Sequence, residues 1–173
     1  MYKLRELERK DLKEINSWRN NFEIVKYLGA PFRYINYEVD EKWFEDYMML
    51  RKSNVRCAII EEDKDEILGL VSLTSIDLLN QSAELQIMIG DVKNHNKGIG
   101  TFAVNGILHH AFNNLNLQRV ELYVLCDNER AIHLYEKCGF SYEGKKRKSN
   151  YKNGQFVDLL IYSILKEEFI NRQ

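Results

Sequence analysis

The stretch from Ala83 to Thr101 limits what this chain can fold into more than any other part of the sequence. Its first half alternates between two sets of side chains, which is the period of a strand with one face against a core. One set is Glu84, Gln86 and Met88, and the other is Leu85, Ile87 and Ile89. After a polar turn, apolar residues recur with helical spacing at Ile99, Phe102, Ala103, Gly106, Ile107 and Ala111. The segment therefore predicts a strand, a glycine-containing loop and an amphipathic helix that begins at Gly98.

A loop of this kind is suited to bind phosphate groups. The first backbone N–H groups of a helix have no partner inside the helix, and the helix dipole adds positive potential there. Gly98 and Gly100 let a ligand come close to the main chain. The segment lacks the third glycine of a dinucleotide-binding fingerprint, and no Lys-Ser or Lys-Thr follows as in a P-loop. From this segment alone, an ordinary strand-to-helix turn remains the alternative.

Composition excludes several classes of protein. The chain has 173 residues, 45% hydrophobic and 29% charged, so we expect one folded domain over residues 1–173 and no membrane association. The net charge of -1 gives no general reason to expect nucleic acid as a partner. The three cysteines lack metal-binding spacing, which predicts no metal, a cytoplasmic location and cysteines used as small apolar residues. A solvated strand face is the simplest explanation of the basic run from Lys145 to Lys148.

The N-terminal half predicts two helices followed by a meander of strands. Tyr2 to Leu7 alternates as a strand, and Asp11 to Trp18 has the period of a helix. A second helix is predicted to start near Asp40 as N-cap, with Val39, Trp43, Phe44, Tyr47 and Leu50 facing inward. The connection from Tyr27 to Tyr34 holds the only proline and is a candidate substrate loop. Antiparallel strands are predicted at Val55 to Ile60 and Ile67 to Ser75.

The C-terminal half predicts a crossover and a hairpin. Arg119 to Leu125 reads as a strand, and the helix before it makes it a parallel neighbour of the strand at Glu84. Asp127 or Asn128 is expected to cap a helix from Glu129 to Cys138, which ends before Gly139. Two last strands, Phe140 to Tyr151 and Gln155 to Leu165, flank the hairpin signal Asn153-Gly154. This order describes an α/β (α+β) fold, one mixed sheet with helices on both faces.

Several motifs, in this order, resemble the GNAT superfamily of acyl-CoA-dependent N-acyltransferases. Within it they are similar to the branch of ribosomal-protein N-terminal acetyltransferases and spermidine acetyltransferases. They are Trp18-Arg19-Asn20, Ala83-Glu84, Lys97-Gly98-Ile99-Gly100, Asn128, the run His133 to Phe140, Glu143-Gly144 and Asn153-Gly154. The family's loop motif has Gln or Arg where this chain has His95, whereas Gly98 and Gly100 match it.

The resemblance implies a mostly antiparallel seven-stranded sheet whose fourth and fifth strands splay apart. The pantetheine arm of acetyl-CoA is expected to enter that gap as a pseudo-strand against the backbone of Ile87, Met88 and Ile89. Main-chain amides of the loop are expected to receive the pyrophosphate, with Asn128 also on the cofactor side. The loop residues concerned are His95, Asn96, Lys97, Gly98, Ile99, Gly100 and Thr101.

The chemistry of amine acetylation adds two candidate catalytic residues. A primary alkylammonium has a pKa near ~10, so a base must remove its proton before it attacks a thioester. Glu84 begins the splayed strand and is the candidate base, although a structural role at the strand start is an alternative. Tyr135 matches the family's tyrosine near the thioester sulfur and is the candidate proton donor to the departing thiolate.

The acceptor is predicted less closely than the reaction. A small-molecule amine, an amino sugar or a peptide N-terminus is expected, bound in part by Phe32, Arg33 and Tyr34. Because these residues and the basic run are aromatic or cationic, spermidine is the alternative acceptor rather than the first choice. A non-enzymatic acyl-CoA-binding protein is the alternative of a different class. The resemblance also allows a homodimer.

Overall fold

The computed structural model describes residues 1–94 and 97–172, which form one seven-stranded mixed sheet with helices on both faces. The strand order is β1-β2-β3-β4-β5-β7-β6. The strands are β1 Tyr2–Glu6, β2 Val55–Glu61, β3 Glu66–Asp77, β4 Ser82–Ile89, β5 Arg119–Leu125, β6 Ser141–Lys152 and β7 Gln155–Leu165. The α-helices are α1 Leu12–Arg19, α2 Phe22–Val25, α3 Tyr37–Met49, α4 Ile99–His109, α5 Glu129–Lys137 and α6 Lys166–Ile170. No helix within this described part is long and apolar enough to span a bilayer.

Two apolar cores lie on opposite faces of the sheet. The larger one joins α4 and α5 to the sheet through side chains such as Ile107 and Leu122. The smaller one joins α1 and α3 to the other face through side chains such as Ile15 and Phe44. The alternation within β4 divides its side chains between the two cores, as the sequence predicts: Leu85 belongs to the first, and Met88 packs against the second.

The C-terminal half follows the predicted pattern closely. Strands β5 and β7 have the predicted bounds, and Asn128 caps α5 by accepting a hydrogen bond from the amide of Ala131. Asn153 and Gly154 both have positive φ and form a two-residue turn between the paired residues Lys152 and Gln155. Positive φ at both central positions is the requirement of a type I′ hairpin turn.

The predicted start of helix α3 is wrong. The helix begins at Tyr37, and its N-cap is Asn36, whose side chain accepts a hydrogen bond from the amide of Val39. Asp40 is fully buried inside the helix, where its carboxylate pairs with Arg19 of α1. Asp40 is of a residue type that is common at N-caps, but in this structure it is the buried counter-ion of Arg19.

Three other details differ from what the sequence predicts. Val39 and Leu50 are 51% and 57% exposed, so neither faces the core. The short helix α2 lies in the connection between the first two predicted helices and has no clear periodic signal. Among the cysteines, Cys138 is buried as predicted but Cys126 is exposed. Val39 lies in the first turn of α3 and Leu50 is its C-cap, so both errors fall at the ends of the helix, whereas Phe44 and Tyr47 in its middle are buried as predicted.

Candidate active site

The parallel strands β4 and β5 separate part of the way along their length. They pair at Ser82 with Arg119, at Ala83 with Val120 and at Glu84 with Glu121, and the pairing ends there. Beyond this point β4 stays paired with β3, and β5 stays paired with β7. The splay predicted between the fourth and fifth strands is therefore present, and it opens a gap in the middle of the sheet.

A cleft of about 860 Å³ occupies this gap and reaches both faces of the sheet. The residues lining it come from α1, α2 and the following loop, from α3, from β2 to β5, and from α4, α5 and the final hairpin. On the side of α4 and α5 they include Gly98, Gly100, Thr101, Asn128, Arg130, His133, Tyr135 and Lys137. On the side of α1 and α3 they include Arg19, Glu23, Trp43, Arg56, Ser72, Glu84, Gln86, Tyr123 and Lys146.

The free edge of β4 supplies backbone hydrogen-bonding groups to the cleft. Ile87, Met88 and Ile89 all line it and are paired on their other side with β3. In an antiparallel pair, alternate residues direct their N–H and C=O groups away from the partner strand. Within this segment those groups face the gap, so an extended ligand can pair with β4 as an added strand does.

The start of helix α4 presents its free amides at one end of the cleft. Gly98 is the N-cap with φ of +79°, a conformation that favours glycine, and no atom of the described residues lies within 4 Å of where its Cβ would be, its chain neighbours apart. No side chain of the described residues caps these amides. Ile99, Gly100 and Thr101 line the cleft through this turn, although the Ile99 side chain is in the core.

The remaining predicted loop residues differ in placement. His95 and Asn96 lie outside the described residues. Lys97 is exposed, and its ammonium donates to the Asn94 side chain at 3.3 Å; it is not among the described residues that line the cleft. The part of the loop that the structure describes therefore offers main-chain donors at Ile99 to Thr101.

Helix α5 positions the two other residues predicted on the cofactor side. Asn128 caps the helix, and its side-chain amide also donates to the Tyr27 carbonyl at 3.1 Å. Tyr135 lies about two turns further along, with its ring 5.9 Å from that of Phe140 in an edge-on contact. Its ring is 7% exposed, and burial raises its pKa well above the ordinary value near ~10. The Tyr135 phenol therefore stays protonated at neutral pH.

Glu84 lies where the two strands begin to separate. Its carboxylate accepts a hydrogen bond from the Gln86 amide at 2.9 Å, and no basic side chain of the described chain lies within 4 Å of it. Its neighbour across the strands, Glu121, is paired with Arg119 and accepts from the Tyr123 hydroxyl at 2.9 Å. Of these two carboxylates, Glu84 is the one without a cationic partner.

The motif Trp18-Arg19-Asn20 holds the opposite wall of the cleft. Trp18 is buried in the smaller core, and Arg19 pairs with the fully buried Asp40. The Asn20 side chain donates to the Ile35 carbonyl at 2.7 Å and accepts from the Ile35 amide at 2.9 Å. This motif therefore fixes both ends of the connection between α1 and α3.

The predicted substrate residues Phe32, Arg33 and Tyr34 do not line the cleft in the described structure. Phe32 packs between the rings of Phe22 and Tyr34, and Tyr34 is 91% exposed. The preceding residues, Tyr27 to Ala30, do line the cleft. Their role in acceptor binding stays a prediction.

The final hairpin holds this loop against the sheet. Asn150 donates to the Gly29 carbonyl at 2.7 Å, and the Lys152 ammonium donates to the carbonyls of Val25 and Ala30 at 3.1 and 2.7 Å. Residues 145 to 148 are exposed as predicted, and of these Lys146 lines the cleft with its ammonium 4.2 Å from the Tyr123 ring centre.

Sequence analysis missed Arg56 of β2. Its guanidinium lies over the rings of Trp43 and Tyr47, 4.8 and 5.8 Å from their centres. A charged residue in an otherwise apolar strand is the signal that could have found it. Among the described residues, no group of three or more His, Cys, Asp and Glu side chains is arranged to hold a metal ion.

Comparison with known proteins identifies the family. The sequence model described as an acetyltransferase (GNAT) domain matches residues 2–141. The chain belongs to this GNAT acetyltransferase family. Spermidine N(1)-acetyltransferase of Vibrio cholerae is 33% identical to this chain over 170 residues, which cover 98% of this chain and 95% of that protein. The putative ribosomal N-acetyltransferase YdaF of Bacillus subtilis is 38% identical over 101 residues, 58% of this chain and 55% of that protein.

A solved structure gives the same result for the fold. The solved structure of spermidine N-acetyltransferase from V. cholerae in complex with CoA and spermine matches this chain with a TM-score of 0.90, at 30% identity, over 98% of both chains. The predicted family, branch and fold are confirmed. The protein is an acetyl-CoA-dependent N-acetyltransferase, and the non-enzymatic alternative is set aside.

Proposed function

We propose that residues 1–173 form a single domain that transfers the acetyl group directly from acetyl-CoA to a primary amine of a small molecule or peptide, with both substrates bound together. The observation that supports this is the early end of the pairing between β4 and β5 at Glu84 and Glu121. The resulting gap reaches both faces of the sheet, so cofactor and amine can meet in it from opposite sides.

The cofactor side of the cleft fits acetyl-CoA. The edge of β4 from Ile87 to Ile89 offers the backbone groups that a pantetheine arm needs. The first turn of α4 offers amides to the pyrophosphate, and Gly98 allows the phosphates to come close. The Asn128 side chain is already used by Ala131 and Tyr27, which supports a role in shaping this wall of the cleft rather than a direct contact.

The proposed reaction is one nucleophilic substitution at the thioester carbon. Glu84 takes a proton from the bound ammonium, directly or through a water, and the neutral amine attacks. The new C–N bond forms as the C–S bond breaks, and the Tyr135 phenol donates a proton to the departing thiolate. Tyr135 then regains a proton from solvent or from the newly formed amide's nitrogen. No covalent enzyme intermediate is needed.

Spermidine is a second candidate acceptor, because the V. cholerae relative named for this activity is similar over nearly the whole chain. An amino-sugar-type or peptidyl amine remains the preferred proposal, since the cleft has more basic than acidic side chains among its described lining residues. A homodimer, a cytoplasmic location and independence from metal and nucleic acid remain part of this proposal. Light scattering after size-exclusion chromatography measures the first of these.

The experiment that tests the reaction is steady-state kinetics with a panel of amines, measured as release of free CoA. Tyr135→Phe is expected to lower kcat by roughly ten- to a thousandfold with little change in the KM for acetyl-CoA, because a proton donor acts mainly in the transition state. Glu84→Gln is expected to flatten the limb of the pH profile on which the rate rises with pH.

Tyr142→Phe is the matched control, because Tyr142 is 55% exposed and does not line the cleft in the described structure. It should leave the kinetics unchanged. Full turnover by Tyr135→Phe, under conditions where chemistry limits the rate, would show that this tyrosine only packs in the core. Absence of transfer to every amine in the panel would contradict the proposed acceptor classes.

A further inference from the structure

Arg56 carries a positive charge that forms no ion pair with a carboxylate of the described residues. No Asp or Glu oxygen among the described residues lies within 4.0 Å of its guanidinium nitrogens. Its Nε–H is fully buried without a hydrogen-bond acceptor, and its hydrogen bond to the Ser72 hydroxyl is long, at 3.4 Å. Burial lowers the pKa of Arg56, and the nearby Arg19 acts in the same direction, whereas Tyr47 acts against them. An arginine stays charged under such conditions, so its partly buried charge has no anionic partner among the described residues.

The rings of α3 hold this guanidinium at the cleft. Arg56 lies over Trp43 and Tyr47, and such stacking fixes the direction of the planar group. In the register of the sheet, Arg56 is opposite Ser72 on β3, which is opposite Gln86 on β4. All three side chains line the cleft, so they form a polar row across three strands.

Other charges on the same side do not compensate Arg56. Arg19 is itself a cation and already pairs with Asp40. Glu23 lines the cleft but pairs with Lys26. Glu84 is two residues along β4 from the polar row, and strand spacings of ~4.8 Å and ~3.4 Å per residue place its Cα about 12 Å from that of Arg56.

We infer that the acceptor amine belongs to a molecule that also carries an anionic group, a carboxylate or a phosphate, and that Arg56 binds this group. The inference rests on the proposed function, because it places the amine near Glu84 and the anion at the other end of the polar row. A guanidinium binds either anion with two parallel hydrogen bonds. A polyamine has only positive groups to bring to Arg56 and is disfavoured.

The test compares pairs of amines that differ only in the anionic group. Glucosamine 6-phosphate is compared with glucosamine, β-alanine with its amide, and spermidine serves as the polycation. The first pair detects a phosphate and the second a carboxylate. The anionic member of at least one pair is expected to have the higher kcat/KM by about 10- to 100-fold, the size of one charge-assisted pair.

Two variants connect this preference to the residue. Arg56→Gln should reduce the difference within the pair to about threefold or less, through the KM of the acceptor, while the KM for acetyl-CoA stays the same. Ser72→Glu should have the same effect by placing a carboxylate beside Arg56, and it should improve the use of spermidine. Arg9→Gln is the control, because Arg9 is 52% exposed and does not line the described cleft.

Each outcome decides the inference. Equal or better use of the uncharged members, the highest kcat/KM with spermidine, or a preference that persists in Arg56→Gln would overturn it. If Arg56→Gln does not fold, the comparison in the wild type and in Ser72→Glu still decides. If no amine is acetylated, the proposed function fails, and calorimetric titration of the CoA-bound protein with each pair tests the inference separately. Equal affinity of both members of each pair would then refute it.

Discussion

Replacement of Gly98 by valine tests how the cofactor is held. Gly98 has φ of +79°, and a Cβ at this position meets no atom within 4 Å in the part of the chain that the structure describes, its chain neighbours apart. The variant is therefore destabilised by backbone strain of about 1–3 kcal/mol, and the described residues add no steric clash. Its side chain points into the open space where the pyrophosphate is proposed to approach the first turn of α4.

The expected loss of CoA affinity follows from the number of hydrogen bonds lost. Each bond between a backbone amide and a phosphate contributes about 1.5–3 kcal/mol. Loss of one of them, about 1.5–3 kcal/mol, weakens binding by roughly 10- to 200-fold, and loss of a second weakens it further. Isothermal titration calorimetry with CoA measures the affinity directly.

A matched variant separates this effect from strain. Gly154 of the hairpin turn has φ of +84°, also has no atom within 4 Å of its Cβ position and does not line the described cleft. Gly154→Val should therefore lose a similar amount of stability but keep the wild-type affinity for CoA. A folded Gly98→Val protein with a Kd within about threefold of the wild type would refute the proposed phosphate site.

Thermal unfolding provides a second measurement on the same variants. CoA at 100 times the wild-type Kd should stabilise the wild type and Gly154→Val by about 2.7 kcal/mol. A variant that binds 100-fold more weakly gains only about 0.4 kcal/mol at the same concentration. Equal stabilisation of all three proteins would contradict the assignment of Gly98 to the phosphate site.

Three further predictions concern protonation and buried charge. Because burial raises the pKa of Tyr135, kcat should not fall as pH rises to about 10, and a fall with an apparent pKa near ~10 that is absent in Tyr135→Phe would contradict this. Asp40→Asn should lower the free energy of unfolding in urea by about 2–4 kcal/mol, since it leaves Arg19 unpaired; a loss below 1 kcal/mol would contradict this. Hydrogen bonds from Arg119 and Ser163 lower the pKa of Glu143 to about 2. The ionised Glu143 therefore stabilises the fold fully above a pH of ~4.3, and this stabilisation is lost as the pH falls towards 2. The difference in unfolding free energy between the wild type and Glu143→Gln should be only about 1 kcal/mol at pH 6, because Glu143 is 39% exposed, and a difference independent of pH would contradict the assignment.

The sequence by itself determined the features that depend on neighbours along the chain. The alternation in β4, the glycine turn before α4 and the Asn153-Gly154 hairpin are local patterns, and each is present in the structure. Strand and helix periodicity express which face of an element is buried, and a hairpin turn depends on two residues with positive φ. These patterns were sufficient to predict the order of the seven strands and of helices α1, α3, α4 and α5, and the place of the glycine turn at one end of the cleft, but not the short helices α2 and α6.

Only the tertiary structure decided how charges separated in sequence are paired. Asp40 matches the composition of an N-cap, but α1 brings Arg19 to it from 21 residues earlier, and the helix begins before it at Tyr37. Arg56 and Ser72 are 16 residues apart and become neighbours only when β2 pairs with β3. Periodicity reports burial but not the partner of a buried charge, because the partner is set by strand register and helix packing. The cation that we propose for acceptor selection is therefore visible only in the folded chain.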